Sequence, residues 1–153
     1  TVTNNTVKPV TPAIPTGWQT YTNNKYKFSV KYPVGWKVNF YQHPTLQQEN
    51  VGFGPLNIQE DYQWGIVIYD SSDTTVDAVI RSMGSQWNDR AETRENILLN
   101  GINATKATIT TAQVDGWQSV IIVFEYNSKI YSISNGAIVD PDYETFYKSF
   151  KFI

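Results

Sequence analysis

Three dipeptides in the C-terminal half constrain this chain more than any other feature: Asn100-Gly101, Asp115-Gly116 and Asn127-Ser128. Asn-Gly and Asp-Gly favour type I′ turns, whose two central residues take the positive φ that Gly and Asn tolerate. The segments around these pairs (93–99, 102–114, 117–126 and 129–135) are rich in apolar and β-branched residues. Strand-like segments joined by two-residue turns pair antiparallel, so the pattern predicts a four-stranded meander. Val120 to Phe124 is apolar at every position, which puts that strand at the centre of a sheet covered on both faces.

The N-terminal half carries a different periodicity. Tyr26, Phe28, Val30 and Tyr32 alternate with Lys27, Ser29 and Lys31, giving a strand with one buried and one wet side. Pro33 and Gly35 break it, and Trp36, Val38 and Phe40 resume the alternation to about Tyr41. A short strand at 18–22 precedes both. Residues 43–50 are polar and irregular and read as a loop. Residues 51–59 are interrupted by Gly52, Gly54 and Pro55, which predicts a bulged or edge strand. The apolar run 65–69 reads as a strand buried on both faces.

Two helices are expected. Thr74 or Thr75 caps the first, Asp77 complements its N-terminal dipole, and Asp77 and Arg81 form an i,i+4 pair. Val76, Val79, Ile80, Met83 and Trp87 make its apolar stripe, with Gly84 in the interior at a cost of about 1 kcal/mol. In the second, Asp140 is the expected N-cap, Pro141 the first helical residue, and Tyr143, Phe146, Tyr147 and Phe150 the buried face. Phe152 and Ile153 follow and are expected to pack on the sheet. The class is therefore α+β: an antiparallel sheet with helices on both faces.

A chain of 153 residues fits one domain and can bury a core without disulfides or metals. Residues 1–17, TVTNNTVKPVTPAIPTG, show no periodicity, and Pro9, Pro12 and Pro15 favour extended chain. They read as a tether, leaving 18–153 as the single domain. The missing initiator Met and the tether together predict an exported, extracytoplasmic protein, its membrane contact made through a removed or upstream N-terminal anchor of the lipoprotein kind. A net charge of −2 gives no electrostatic reason to contact nucleic acid. The absence of Cys excludes disulfides, thiol catalysis and thiolate metal sites. A single His excludes multi-histidine centres, so no cofactor or metal is expected.

Tyr26-x-Phe28-x-x-x-Tyr32-Pro33-x-x-Trp36 and the closing Ser149-Phe150-Lys151-Phe152 resemble the opening and closing motifs of PsbP-like domains. The resemblance spans 18–153 and implies an antiparallel sheet sandwiched between helices. The family includes an extrinsic photosystem II subunit, a Ran-binding import factor and many bacterial lipoproteins of unknown role. In character the sequence is most similar to the last group. No metal or photosystem residues carry over, because the photosynthetic member depends on histidines of its own.

No catalytic pattern emerges from the residues themselves. His43 beside Pro44 has neither a nucleophile elbow nor an assigned acid, and reads as a loop histidine. Asp70-Ser71-Ser72-Asp73 offers oxygen ligands but lacks the Gly and terminal Glu of an EF-hand loop, and helix capping accounts for it. Gly52-x-Gly54 is not a phosphate loop, since no helix follows it. Five Trp and ten Tyr exceed what core packing usually needs. Tyr41, Phe53, Tyr62 and Trp64 lie in or beside irregular polar segments, so with His43 they are the candidate binding residues. The expected function is a non-enzymatic binding or accessory module that docks a protein or cell-envelope partner between the 43–50 loop and the 62–64 region. Two alternatives stand beside it. One is a hydrolase or small-molecule-binding enzyme using His43 with Glu60 or Asp61. The other is an assembly subunit whose edge strand pairs with a neighbour.

Overall fold

Strands dominate the chain and divide between two sheets. A computed structural model describes residues 13–42, 48–55, 63–136 and 140–153. In chain order the elements are β1 (Trp18–Asn23), β2 (Phe28–Pro33), β3 (Trp36–Gln42), β4 (Gln48–Pro55), β5 (Trp64–Asp70), α1 (Val76–Ser82), β6 (Ala91–Leu99), β7 (Ile102–Thr110), β8 (Gln118–Tyr126), β9 (Lys129–Ser134), α2 (Tyr143–Lys148) and β10 (Lys151–Phe152). Among the described residues the larger sheet has seven strands in the order β3-β4-β5-β9-β8-β7-β6, and the smaller has three, β1-β2-β10. All pairings are antiparallel.

Turn chemistry sets two of the hairpins. Asn100 and Gly101 take φ of +48° and +90° between β6 and β7, and Asn127 and Ser128 take +48° and +57° between β8 and β9. Both are the positive-φ pairs that type I′ turns require. Asp115-Gly116 behaves differently. It forms the tip of a turn closed by Trp117 N donating to Val114 O at 3.1 Å, but that turn lies in a loop running from Thr111 to Trp117. The Asp89 carboxylate explains the early end of β7. It accepts from Thr111 Oγ1 at 2.6 Å, Ala112 N at 2.7 Å and Gln113 Nε2 at 3.0 Å, diverting these groups from the strand ladder.

Strand alternation sorts β8 onto two cores. Ile121 and Val123 join Ala107, Ile109, Ile130, Val79 and Ile80 on one side of the sheet. Ile122 and Phe124 join Tyr131, Ile133, Phe146 and Phe150 on the other. Helix α1 covers the first side. The second side is covered by the three-stranded sheet together with α2, so a sheet does much of the work that a helix layer was expected to do.

Several local expectations are corrected. The bulged or edge strand expected at 51–59 is, over its described part, a regular interior strand: β4 runs from Gln48 to Pro55 between β3 and β5, with Gly52 opposite Gly65, and residues 56–59 lie outside the described residues. Gly84 is not in a helix interior. Helix α1 ends at Ser82, and Gly84 at φ +69° leads the chain out in the left-handed conformation that favours Gly. Trp87 lies beyond the helix and meets Trp117 edge to face at 4.1 Å. Thr75 is the α1 cap, its hydroxyl accepting from Ala78 N at 3.1 Å. Asp142, not Asp140, occupies the N-cap of α2. Asp140 instead accepts from Asp142 N at 2.9 Å and Gln63 Nε2 at 2.8 Å. Phe152 pairs with Phe28 in β2, whereas the Ile153 side chain stays exposed and its backbone N donates to Lys27 O at 2.9 Å.

Candidate binding cleft

The two sheets part at one end and leave a cleft of about 810 Å³. Its walls come from the β1–β2 turn, the ends of β3 and β5, the start of β4, the β8–β9 turn, and Phe152 and Ile153. The β1–β2 turn is held by Asn23, whose buried Oδ1 accepts from Lys25 N at 3.0 Å and Tyr26 N at 2.9 Å. That turn carries the Lys25 ammonium across to an ion pair with Glu49 Oε1. At the opposite wall, cross-strand register sets Asp70 against Lys129, and Lys129 Nζ reaches Asp70 Oδ2 at 2.8 Å. Aromatic rings form the floor and one side. Tyr126 stacks on Phe152 with centroids 3.9 Å apart, and Phe124 stacks on Tyr131 at 5.2 Å.

Glu49 is the unusual group. In β4 it shares a face with Val51 and Phe53, the face turned toward the aromatic core, and its side chain is only 7% exposed. Lys25 satisfies Oε1, but Oε2 is buried and makes no hydrogen bond among the described residues. Leaving such an acceptor unpaired costs about 1–3 kcal/mol, and more for a charged group. Trp64 Nε1 is also unpaired among the described residues. It lies among the core rings at the other end of β5 and does not line the cleft.

The electrostatics of the walls follow from these pairs. The hydrogen bond from Lys129 is the largest cause holding the Asp70 carboxyl down at about 2, helped by Ser72 N at 3.1 Å and Ser72 Oγ at 3.0 Å. The same pair raises Lys129, and Glu49 raises Lys25. Burial pushes Tyr131 up to about 12 and raises Tyr69. Burial also raises Tyr26, with the neighbouring Glu49 adding to the effect. Asp70 is thus a strand-end ion-pair and turn residue, while the helix-capping role on this loop belongs to Thr75.

The sequence-predicted site does not assemble as expected. Phe53 and Trp64 are fully buried. Alternation along β4 and β5 turns both rings into the core, where Phe53 meets Phe146 at 5.1 Å and Trp64 meets Trp36 at 4.3 Å and Phe146 at 4.7 Å. Tyr41 is half-exposed on β3, on the opposite face of that strand from Gln42, which lines the cleft. His43, Tyr62, Glu60 and Asp61 lie outside the described residues. What sequence reasoning missed was Glu49, along with Lys25, Lys129 and Tyr126. One signal was available. Glu49 is in phase with Val51 and Phe53, so extending the strand two residues toward the N-terminus would have exposed an inward-pointing charge.

This architecture defines a PsbP-like fold. Over 95% of its length the chain matches the whole of the solution structure of cyanobacterial PsbP (CyanoP) from Synechocystis sp. PCC 6803, with a TM-score of 0.62 at 14% identity. It also matches a crystal structure from Bacteroides thetaiotaomicron VPI-5482, at TM-score 0.50 and 11% identity, covering 90% of this chain and 49% of that one. No family model matches the sequence. No curated protein matches it either. At these identities the likeness is one of fold.

Proposed function

We propose that the chain is a non-enzymatic, exported accessory domain that docks a protein or cell-envelope partner in the cleft between its two sheets. The observation that supports this most directly is the buried oxygen of Glu49, unpaired among the described residues, within an open, aromatic-lined cavity. Such a group is stabilised when something else brings a donor to it. The chemistry of the walls argues against catalysis. With a carboxyl at about 2, Asp70 is far from the pKa near 7 that suits a general base. Lys25 and Lys129 are held protonated by their carboxylate partners, the reverse of a nucleophilic lysine. The PsbP-like fold fits an accessory role without specifying a partner.

The chain has no cysteine, so single-cysteine variants give unique attachment points. A photoreactive maleimide would be placed at Gln48→Cys in the cleft and, separately, at Asp115→Cys on the distant exposed loop. In the source cell's envelope fraction, Gln48→Cys is expected to give a discrete adduct that Asp115→Cys does not. Equal labelling from both positions, or labelling from Asp115→Cys alone, would remove the cleft from this reading.

A further inference from the structure

The cleft's own chemistry selects a class of ligand. Glu49 Oε2 accepts no hydrogen bond among the described residues: Lys25 occupies Oε1, and the neighbouring Tyr26 hydroxyl, which interacts with the Glu49 side chain, is not bonded to Oε2. A cation is not favoured. Each lining carboxylate has its own lysine, Glu49 with Lys25 and Asp70 with Lys129, and exposed Lys27 adds a further positive charge at the mouth. An anion is not favoured at the buried end, where it would meet the bare Glu49 oxygen. The donor is therefore neutral. Gln42, Gln48 and Asn127 line the same space and offer both donors and acceptors to a polar, uncharged molecule. Tyr126, 37% exposed and backed by Phe152, presents an aromatic face to a flat apolar surface. A cavity of about 810 Å³ accommodates a molecule of two or three rings.

Neutral, rich in hydroxyl donors and bearing one apolar ring face describes a sugar. We infer that the cleft takes a neutral saccharide, with a ring hydroxyl donating to Glu49 Oε2 and an apolar ring face resting on Tyr126. This rests on the cleft-binding reading above and narrows its ligand from a protein or envelope component to an uncharged glycan.

The test uses the full chain, isotope-labelled, with cellotriose, maltotriose and triacetylchitotriose as probes and the neutral peptide acetyl-trialanine-amide as comparison. At least one sugar is expected to shift the amide resonances of Glu49, Tyr126 and Lys129 while leaving Asp115 unmoved. In Glu49→Gln the amide oxygen is drawn to Lys25, so the cleft meets an NH₂ donor instead of an acceptor, and affinity falls about tenfold or more. Tyr126→Ala, at an exposed position, provides a second variant and is expected to lose about tenfold through stacking. Overturning results are no shift with any of the three sugars, shifts that survive Glu49→Gln in a folded protein, or shifts with the peptide alone. If the sugars fail but the Gln48→Cys adduct forms, the saccharide inference falls and cleft binding stands. If both fail, both fall.

Discussion

The two faces of the seven-stranded sheet are built from different materials. One is aliphatic: Val79 and Ile80 of α1 lie on Ala107, Ile109, Ile121, Val123 and Ile130. The other is aromatic, with Phe28, Phe53, Trp64, Phe124, Tyr131, Phe146 and Phe150 buried together. Small branched side chains let one seven-residue helix, with Met83 and Trp117 beside it, cover the first face. Large flat rings need a thicker cover, and the three-stranded sheet with α2 supplies it. Where that second layer ends, at the β1–β2 turn, the cleft opens beside the stacked Tyr126 and Phe152 rings. The chain's abundance of aromatics is thus mostly architectural, and the site lies at the margin of what they build.

This contrast can be broken from either side. The largest effect is expected from Phe146→Ala, which removes a ring packed on Phe53, Trp64 and Tyr143. It should cost about 3–5 kcal/mol in urea unfolding. Ile80→Ala on the aliphatic face should cost about 2–5 kcal/mol. It is expected to fall below Phe146→Ala, because α1 is a single layer, and equal losses would show the two faces to be energetically alike. Gly84→Ala comes next. Its backbone sits at φ +69°, and an added Cβ would lie 2.9 Å from the Trp87 ring. A loss of about 1–3 kcal/mol is expected in thermal unfolding. Thr75→Ala removes the α1 cap and should cost about 1 kcal/mol.

The smallest effect is a pH dependence. Folding lowers the Asp70 carboxyl from 3.8 to about 2, chiefly through Lys129. A depressed carboxyl stabilises the fold above its unfolded pKa, and that contribution is lost as pH falls through the folded value. The acid limb between about pH 4 and 2 should therefore steepen in the wild type relative to Asp70→Asn. A carboxyl-carbon titration that places Asp70 near its ordinary value would contradict the Lys129 pairing.

Much of the fold was legible because local chemistry and tertiary structure agree. Asn100-Gly101 and Asn127-Ser128 form tight hairpins with the positive φ such turns require, and their tertiary contacts, Asn100 Nδ2 to Lys148 O at 3.0 Å and Ser71 N to Ser128 O at 3.2 Å, leave that geometry in place. Asp115-Gly116 misled because Asp89, more than twenty residues away in sequence, captures Thr111 and Ala112. The predicted single sheet became two because period-2 alternation shows which face of β2 is buried without showing what covers it. The site was less legible still. Phe53 and Trp64 were read from their neighbours in sequence, whereas the pleat decides where their rings go. Glu49 was hidden because its polarity suggested a loop, although its phase with Val51 and Phe53 marks a strand. Its importance depends on one oxygen having no partner among the described residues, a property that only three-dimensional packing shows.

Hydrogen exchange on the full chain, with and without the source cell's envelope fraction, tests the central claim that the open margin of the aromatic face is the working surface. Protection is expected in the three segments that frame Glu49: the β1–β2 turn, the start of β4 and the β8–β9 turn. Protection confined to α1 or the 111–117 loop, with those three segments unchanged, would contradict it.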